Sequence, residues 1–158
     1  MTRTGIGYDS HRFAPGRRLV LGGVTIPHPD GLAGHSDADV VAHALTDAIL
    51  GAAGAGSIGG LFPDTDPRWK DADSMVLLRD AYAAVRERGY AFVQCDITVI
   101  AEAPKIGPHA AEMAARIAEA LGAVPGDINV KGKTNEGMGF IGRREGMAAI
   151  AVATLERR

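Results

Sequence analysis

Hydrophobic positions change their period several times along the chain, and each change marks an element. Thr2 to Tyr8 reads as a short strand, and Arg18 to Ile26 as a hairpin turned by Gly22-Gly23 and stopped by Pro27 and Pro29. Val40, Val41, Ala44, Leu45, Ala48 and Ile49 then recur at helical spacing, with Ser36 or Asp37 as the cap and Gly51, Gly54 and Gly56 as the stop. A second amphipathic stretch, Ser74 to Arg88, carries Leu77, Leu78, Ala81, Tyr82 and Val85 and ends at Gly89. A third follows Pro108, with Met113, Ile117, Ala118 and Leu121 on one face and Gly122 as its stop. Val93 to Ala101, Ile128 to Lys131 and Gly146 to Leu155 read as strands. The order predicts an α/β (α+β) fold with a four-stranded mixed sheet, helices on one face and a short hairpin.

The last of these strands changes that picture. Met147 to Ala153 is apolar on both alternating faces, the pattern of a strand buried on both sides. Helices on one face leave the other needing a cover, which a symmetric copy of the chain would supply, so a homo-oligomer is expected.

Composition narrows the function. A chain of 158 residues with 46% hydrophobic content fits one domain over residues 1–158. The formal net charge of −2 offers no global positive field to attract nucleic acid, so a phosphate ligand would have to be held by local cations or a metal. Cys95 is the one cysteine; it cannot form an intrachain disulfide, and it leaves any metal to nitrogen and oxygen ligands. With no signal-like opening and no apolar run of bilayer length, a cytoplasmic address and no membrane partner are expected.

Candidate chemistry gathers in a few segments. Asp9 and His11, alternate residues at the end of the first strand, project to the same face, and His43 sits one turn into the following helix. Two histidines and one carboxylate are the donor set of catalytic zinc sites that keep a position open for water or substrate. The same set also serves non-haem iron oxygenases. His35-Ser36-Asp37-Ala38-Asp39 adds an imidazole and two carboxylates just before the helix. Leu61 to Trp69, with two prolines and two acids, reads as a functional loop or lid. Ala101 to Pro108 joins a strand to a helix start, where backbone amides and Lys105 suit a phosphate or a base edge. Lys131 to Glu145 concentrates lysines, arginines, Thr134 and Glu136 in a glycine-rich turn, suited to a diphosphate bridged by a second, harder ion on Glu136.

Seven of these segments together resemble one family. Gly7-Tyr8-Asp9-Ser10-His11, Leu21-Gly22-Gly23-Val24, His35-Ser36-Asp37-Ala38-Asp39, Ala42 to Ala48, Phe62-Pro63-Asp64-Thr65-Asp66, Ala103-Pro104-Lys105 and Phe140-Ile141-Gly142-Arg143 are similar, in order and spacing, to the 2-C-methyl-D-erythritol 2,4-cyclodiphosphate synthases. The resemblance implies a homotrimer with active sites shared between adjacent subunits. It implies cyclisation of 4-diphosphocytidyl-2-C-methyl-D-erythritol 2-phosphate with release of CMP, in the non-mevalonate isoprenoid pathway. Asp9, His11 and His43 would bind zinc and touch substrate. Glu136 would hold magnesium or manganese, and His35 and Thr134 would steady the pentavalent phosphorus. Ser36, Phe62, Asp64 and Asp66 would hold the methylerythritol moiety, and Ser57, Ile58 and Gly59 the ribose. Ala101, Ala103, Pro104, Lys105, Ile106 and Gly107 would form the cytosine and phosphate pocket beside Lys133 and Asn135. Phe140 and Arg143 would lie near the substrate or the trimer axis. Ser57 stands where the family commonly has an acid, and Lys133 and Asn135 where small hydroxyl residues are frequent.

Overall fold

The computed structural model describes every residue from Met1 to Arg158. Strand β1 (Thr2–Pro15) leads into the hairpin β2 (Leu19–Leu21) and β3 (Val24–Ile26), then the short β4 (Asp30–Leu32) and helix α1 (Val40–Ala53). The one-turn α2 (Ile58–Leu61) and helix α3 (Ser74–Glu87) precede β5 (Tyr90–Ile100). Helix α4 (Ala110–Leu121), β6 (Ile128–Lys133), the one-turn α5 (Gly139–Gly142) and β7 (Gly146–Arg157) complete the chain. No helix is long and apolar enough to cross a membrane.

The main sheet has five strands in the order β4-β1-β7-β5-β6, one more than expected. The addition is β4, an edge strand of three residues that pairs Leu32 with Phe13 and Asp30 with Pro15. Only β5 and β6 run parallel. The first strand is also longer than predicted, which places Asp9 and His11 in its interior and not at its end.

Helices α1, α3 and α4 pack together on one face of this sheet. Burial of the apolar surface between them is the main stabilising term, and Met147, Ala149, Ala151, Ala153 and Leu155 of β7 have essentially no exposed area there. Small residues dominate the seam for a steric reason. A Cβ on Gly5 or Gly7 would collide with the carbonyl oxygens of Ala48 or Ala44, so only glycine lets α1 lie directly on β1. Cys95 is buried in the same core, and that burial pushes its thiol up to about 12.

Asp39, and not Ser36 or Asp37, caps α1. Its carboxylate accepts from the amides of Val41 and Ala42 and, from across the chain, from those of Gly22 and Gly23. One buried side chain therefore fixes both the start of α1 and the hairpin turn. Burial and the neighbouring Asp37 charge push this carboxyl up to about 6 against the pull of those donors.

The opposite face of the sheet carries no helix. Register places Ile6 beside Val152 and Tyr8 beside Ile150, and Ile6 and Tyr8 are 70% and 54% exposed. The same register sets Thr2 against Glu156 and Arg12 against Gly146, so both chain termini lie at one end of β1 and β7.

Candidate active site

Alternation along β1 turns Gly5, Gly7, Asp9 and His11 toward α1, and the glycine seam brings the helix close enough for His43 to meet them. Asp9 Oδ2 lies 2.8 Å from His11 Nε2 and 3.1 Å from His43 Nδ1, and the two nitrogens are 3.3 Å apart. These three atoms form a small triangle in a half-buried setting. Tetrahedral bonds of about 2.0 Å would separate ligand atoms by about 3.3 Å, so the triangle has the size of one face of a zinc coordination shell.

Orientation supports the same fit. The Nδ1–H of His11 donates to the Ala33 carbonyl oxygen at 2.8 Å, which leaves Nε2 as the nitrogen that faces the triangle. His43 Nε2, on the far side of its ring, lies 2.8 Å from Ser74 Oγ and 3.2 Å from Ser36 Oγ. Both imidazoles are thus held by the nitrogen that does not face Asp9. Burial acts to raise the Asp9 carboxyl, but hydrogen bonds and charge from both histidines outweigh it and bring the group down to about 2. For His11, burial acts to lower the value, and the Asp9 carboxylate outweighs it and raises it above 6.5.

A cavity of about 430 Å³ opens beside His11 and His43. It is lined by His35, Ser36, Ile58, Gly59, Phe62 and Asp64, six of the positions singled out in the sequence. Arg17 holds the 34–36 segment in place by donating to the carbonyls of Gly34 and Ser36 at 2.9 and 2.7 Å. His35 donates from Nε2 to the Asp66 carbonyl at 3.0 Å, tying the wall to the Leu61 to Trp69 loop. Asp47, one turn beyond His43 on α1, accepts the Ile58 amide at 2.7 Å and so anchors the Ser57 to Gly59 turn. The Asp66 carboxylate points elsewhere, into an ion pair with Arg68 at 2.6 Å.

Sequence reasoning missed Trp69, Leu77 and Ser74. Trp69 and Leu77 line the cavity, and the buried Trp69 Nε1–H has no partner within the chain. Trp69 carried a signal, the aromatic at the end of a Pro-Asp loop; the apolar spacing of α3 made Leu77 read as core.

A second group assembles at the carboxyl ends of the parallel pair β5 and β6. Ala101 N donates to the Lys133 carbonyl at 3.0 Å, Gly137 N to Glu102 Oε1 at 2.7 Å, and Ile106 packs over Gly132. Segments 101–107 and 133–136 therefore lie side by side. Lys133 pairs with Glu136 at 3.2 Å, and Thr134 Oγ1 accepts the Glu136 amide at 3.3 Å while keeping its own hydrogen to donate. Asn135 donates to the Met138 carbonyl at 2.8 Å. None of these residues lines the cavity at the triad. Phe140 lines a smaller pocket with Ser10, His11 and Glu145, and Arg143 pairs with Glu145 at 2.9 Å.

The α+β fold sets a two-histidine, one-carboxylate cluster able to hold a metal ion beside a cavity, apart from a glycine-rich turn bearing Lys133, Thr134 and Glu136, the layout of an enzyme with a metal-binding site. The chain belongs to the YgbB family, whose profile matches residues 2–156. It is 61% identical over 155 residues to the 2-C-methyl-D-erythritol 2,4-cyclodiphosphate synthase of Bordetella petrii, covering 98% of this chain and 96% of that one. It is 62% identical over 154 residues to the bifunctional enzyme IspD/IspF of Anaeromyxobacter dehalogenans, of which it spans 40%. Among solved structures, the bifunctional IspDF of Campylobacter jejuni superposes with a TM-score of 0.97 at 49% identity, covering all of this chain and 43% of that one. The CDP complex of Plasmodium falciparum IspF superposes at 0.87 with 34% identity, covering 99% and 97% of the two chains.

Proposed function

We propose that residues 1–158 form one cyclodiphosphate synthase domain, a CMP-forming phosphorus-oxygen lyase of the non-mevalonate isoprenoid pathway. The substrate is 4-diphosphocytidyl-2-C-methyl-D-erythritol 2-phosphate. Its 2-phosphate oxygen forms a bond to the β-phosphorus, the bond from that phosphorus to the bridging oxygen breaks, and CMP leaves with the bridging oxygen. The carrying observation is the Asp9, His11 and His43 triangle beside a cavity lined by His35, Ser36 and Asp64.

Zinc at the triangle, and magnesium or manganese at Glu136, would polarise phosphate oxygens and neutralise developing charge. The chain's own residues bind and orient. Ser36, Phe62 and Asp64 bound the methylerythritol end, Asp66 acts there only through its carbonyl on His35, and His35 and Thr134 face the reacting phosphate. Because the Nε2–H of His35 is engaged by the Asp66 carbonyl, its Nδ1 is the atom left for substrate, and it donates to a phosphate only with both ring nitrogens protonated. Ser57, Ile58 and Gly59 receive the ribose. Ala101, Ala103 to Gly107, Lys133, Asn135 and Glu136 receive the base and diphosphate, with Phe140 and Arg143 at the edge. A phosphate nucleophile is already ionised, so positioning and charge neutralisation supply most of the rate.

The assembly is a homotrimer in the cytoplasm, acting on a small molecule and not on nucleic acid or membrane. Two observations support the trimer: the helix-free sheet face bearing Ile6 and Tyr8, and the separation of segments 101–107 and 133–136 from the triad cavity. A neighbouring copy would cover the face and bring the two half-sites together.

Phosphorus NMR of the protein with this substrate, zinc and magnesium tests the reading. CMP and a cyclic diphosphate should appear together and vanish with chelator. Substrate that binds but stays intact would overturn it.

A further inference from the structure

Ser74 opens α3 with no exposed surface, and its hydroxyl stands between two groups of opposite hydrogen-bonding character. On one side is His43 Nε2, at 2.8 Å. On the other is Asp37, whose Oδ1 takes the Ser74 hydroxyl hydrogen in a short bond. The same carboxylate accepts the Ser74 amide on Oδ2 and the Asp39 amide on Oδ1, each at 3.1 Å, so both of its oxygens face donors.

The donor count then leaves one arrangement. A serine hydroxyl has a single hydrogen and an ionised carboxylate only accepts, so that hydrogen points to Asp37 and the Ser74 oxygen must accept from His43. His43 therefore carries a proton on Nε2, which makes Nδ1, 3.1 Å from Asp9 Oδ2, the nitrogen whose lone pair is offered to a metal. Ser36 fits the same pattern. Its oxygen accepts the Ala38 amide at 3.2 Å and lies 3.4 Å from Ser74 Oγ, within reach to donate to the second lone pair there. For His11 a backbone carbonyl does the equivalent work, whereas for His43 the device is built from side chains.

We propose that Asp37 and Ser74 are positioning residues, a carboxylate–hydroxyl relay that fixes the tautomer and ring plane of His43 for metal binding. The inference rests on the reading of Asp9, His11 and His43 as metal ligands. Outer-shell partners of this kind govern metal affinity by about 10- to 100-fold. Because the carboxylate acts only through the hydroxyl, removing both groups should cost no more than removing one.

Zinc affinity, measured by competition with a chromophoric chelator, tests this on the full chain and its Asp9→Ala, Ser74→Ala, Asp37→Asn and doubly substituted Asp37→Asn, Ser74→Ala variants. The expected result is one zinc per chain in the unsubstituted protein and none at that site in Asp9→Ala. Ser74→Ala and Asp37→Asn should each weaken zinc binding about 10- to 100-fold, and the double variant no further than the weaker single. Asparagine cannot replace the carboxylate, because its amide nitrogen would face a donor in either orientation. Wild-type zinc affinity in either single variant, or a double loss equal to the product of the two, would overturn the relay. Should Asp37→Asn fail to fold, Ser74→Ala decides, since it keeps the amide bond to Asp37; unchanged affinity there overturns the proposal. An unsubstituted protein that takes up no zinc would remove the metal reading itself.

Discussion

Asp9 is the residue on which the site turns, because one carboxylate oxygen lies within 3.1 Å of a nitrogen of both His11 and His43. Asp9→Ala should abolish zinc uptake and CMP release while the chain keeps its far-ultraviolet dichroism, since the side chain packs no core. The metal-free protein makes a separate prediction. The Asp9 carboxyl is lowered from 3.8 to about 2, so its stabilisation is full above 3.8 and is lost as the pH falls toward 2. His11 is raised above 6.5, so its contribution is full below 6.5 and is lost as the pH rises through the higher folded value. In chelator, the gap in melting temperature between the unsubstituted protein and Asp9→Asn should therefore be widest between pH 3.8 and 6.5 and narrow on both sides. A gap independent of pH would refute it.

At the scale of elements, the contact between α1 and β1 sets the geometry of the Asp9, His11 and His43 cluster. Gly7→Ala must push the helix away from the Ala44 carbonyl, a backbone-on-side-chain clash that costs about 1–3 kcal/mol or more. The expected outcome is a lower melting temperature together with weakened zinc binding, because His43 rides on the displaced helix. Gly126→Ala, where an added Cβ meets nothing within 4 Å, should change neither. These elements were unequally legible in the sequence. The helices α1, α3 and α4 follow their apolar spacing closely: α3 and α4 each bury one stripe, and α1, packed on both the sheet and α3, is buried nearly all round. Strand β1 was read short because Asp9, Ser10, His11 and Arg12 interrupt its apolar alternation with four polar residues in a row. Strand β4 left no periodic trace in three residues, and its existence depends on Phe13 to Pro15 being in place. The cap of α1 was missed for a like reason: Asp39 is selected by amides of the hairpin as well as by the helix. The Asp9, His11 and His43 cluster was legible because strand alternation and one helical turn suffice to bring the three together. Ser74 was not, since its role depends on α3 packing beside α1.

For the whole molecule, the proposed trimer carries a prediction that a self-sufficient chain would not. Asp9→Ala and Glu136→Gln should each be inactive alone, yet co-refolded in equal amounts they should recover about one quarter of the unsubstituted rate, the share of intact composite sites in randomly assembled rings. No recovery, with mixed trimers verified by mass spectrometry, would refute sites shared between subunits. Ile6→Glu, on the helix-free face, should shift the sedimenting species toward monomer and lose turnover while retaining zinc.

The register of β1 against β7 has a bearing on how such a chain can be joined to others. Its first and last paired residues, Thr2 and Glu156, lie together, while His11 stands nine residues along the strand, about 30 Å away. A second catalytic unit appended at either end would attach far from Asp9, His11 and His43 and leave their geometry unloaded. The bifunctional relatives, in which this domain is 40% of the length, are the natural form of that tolerance.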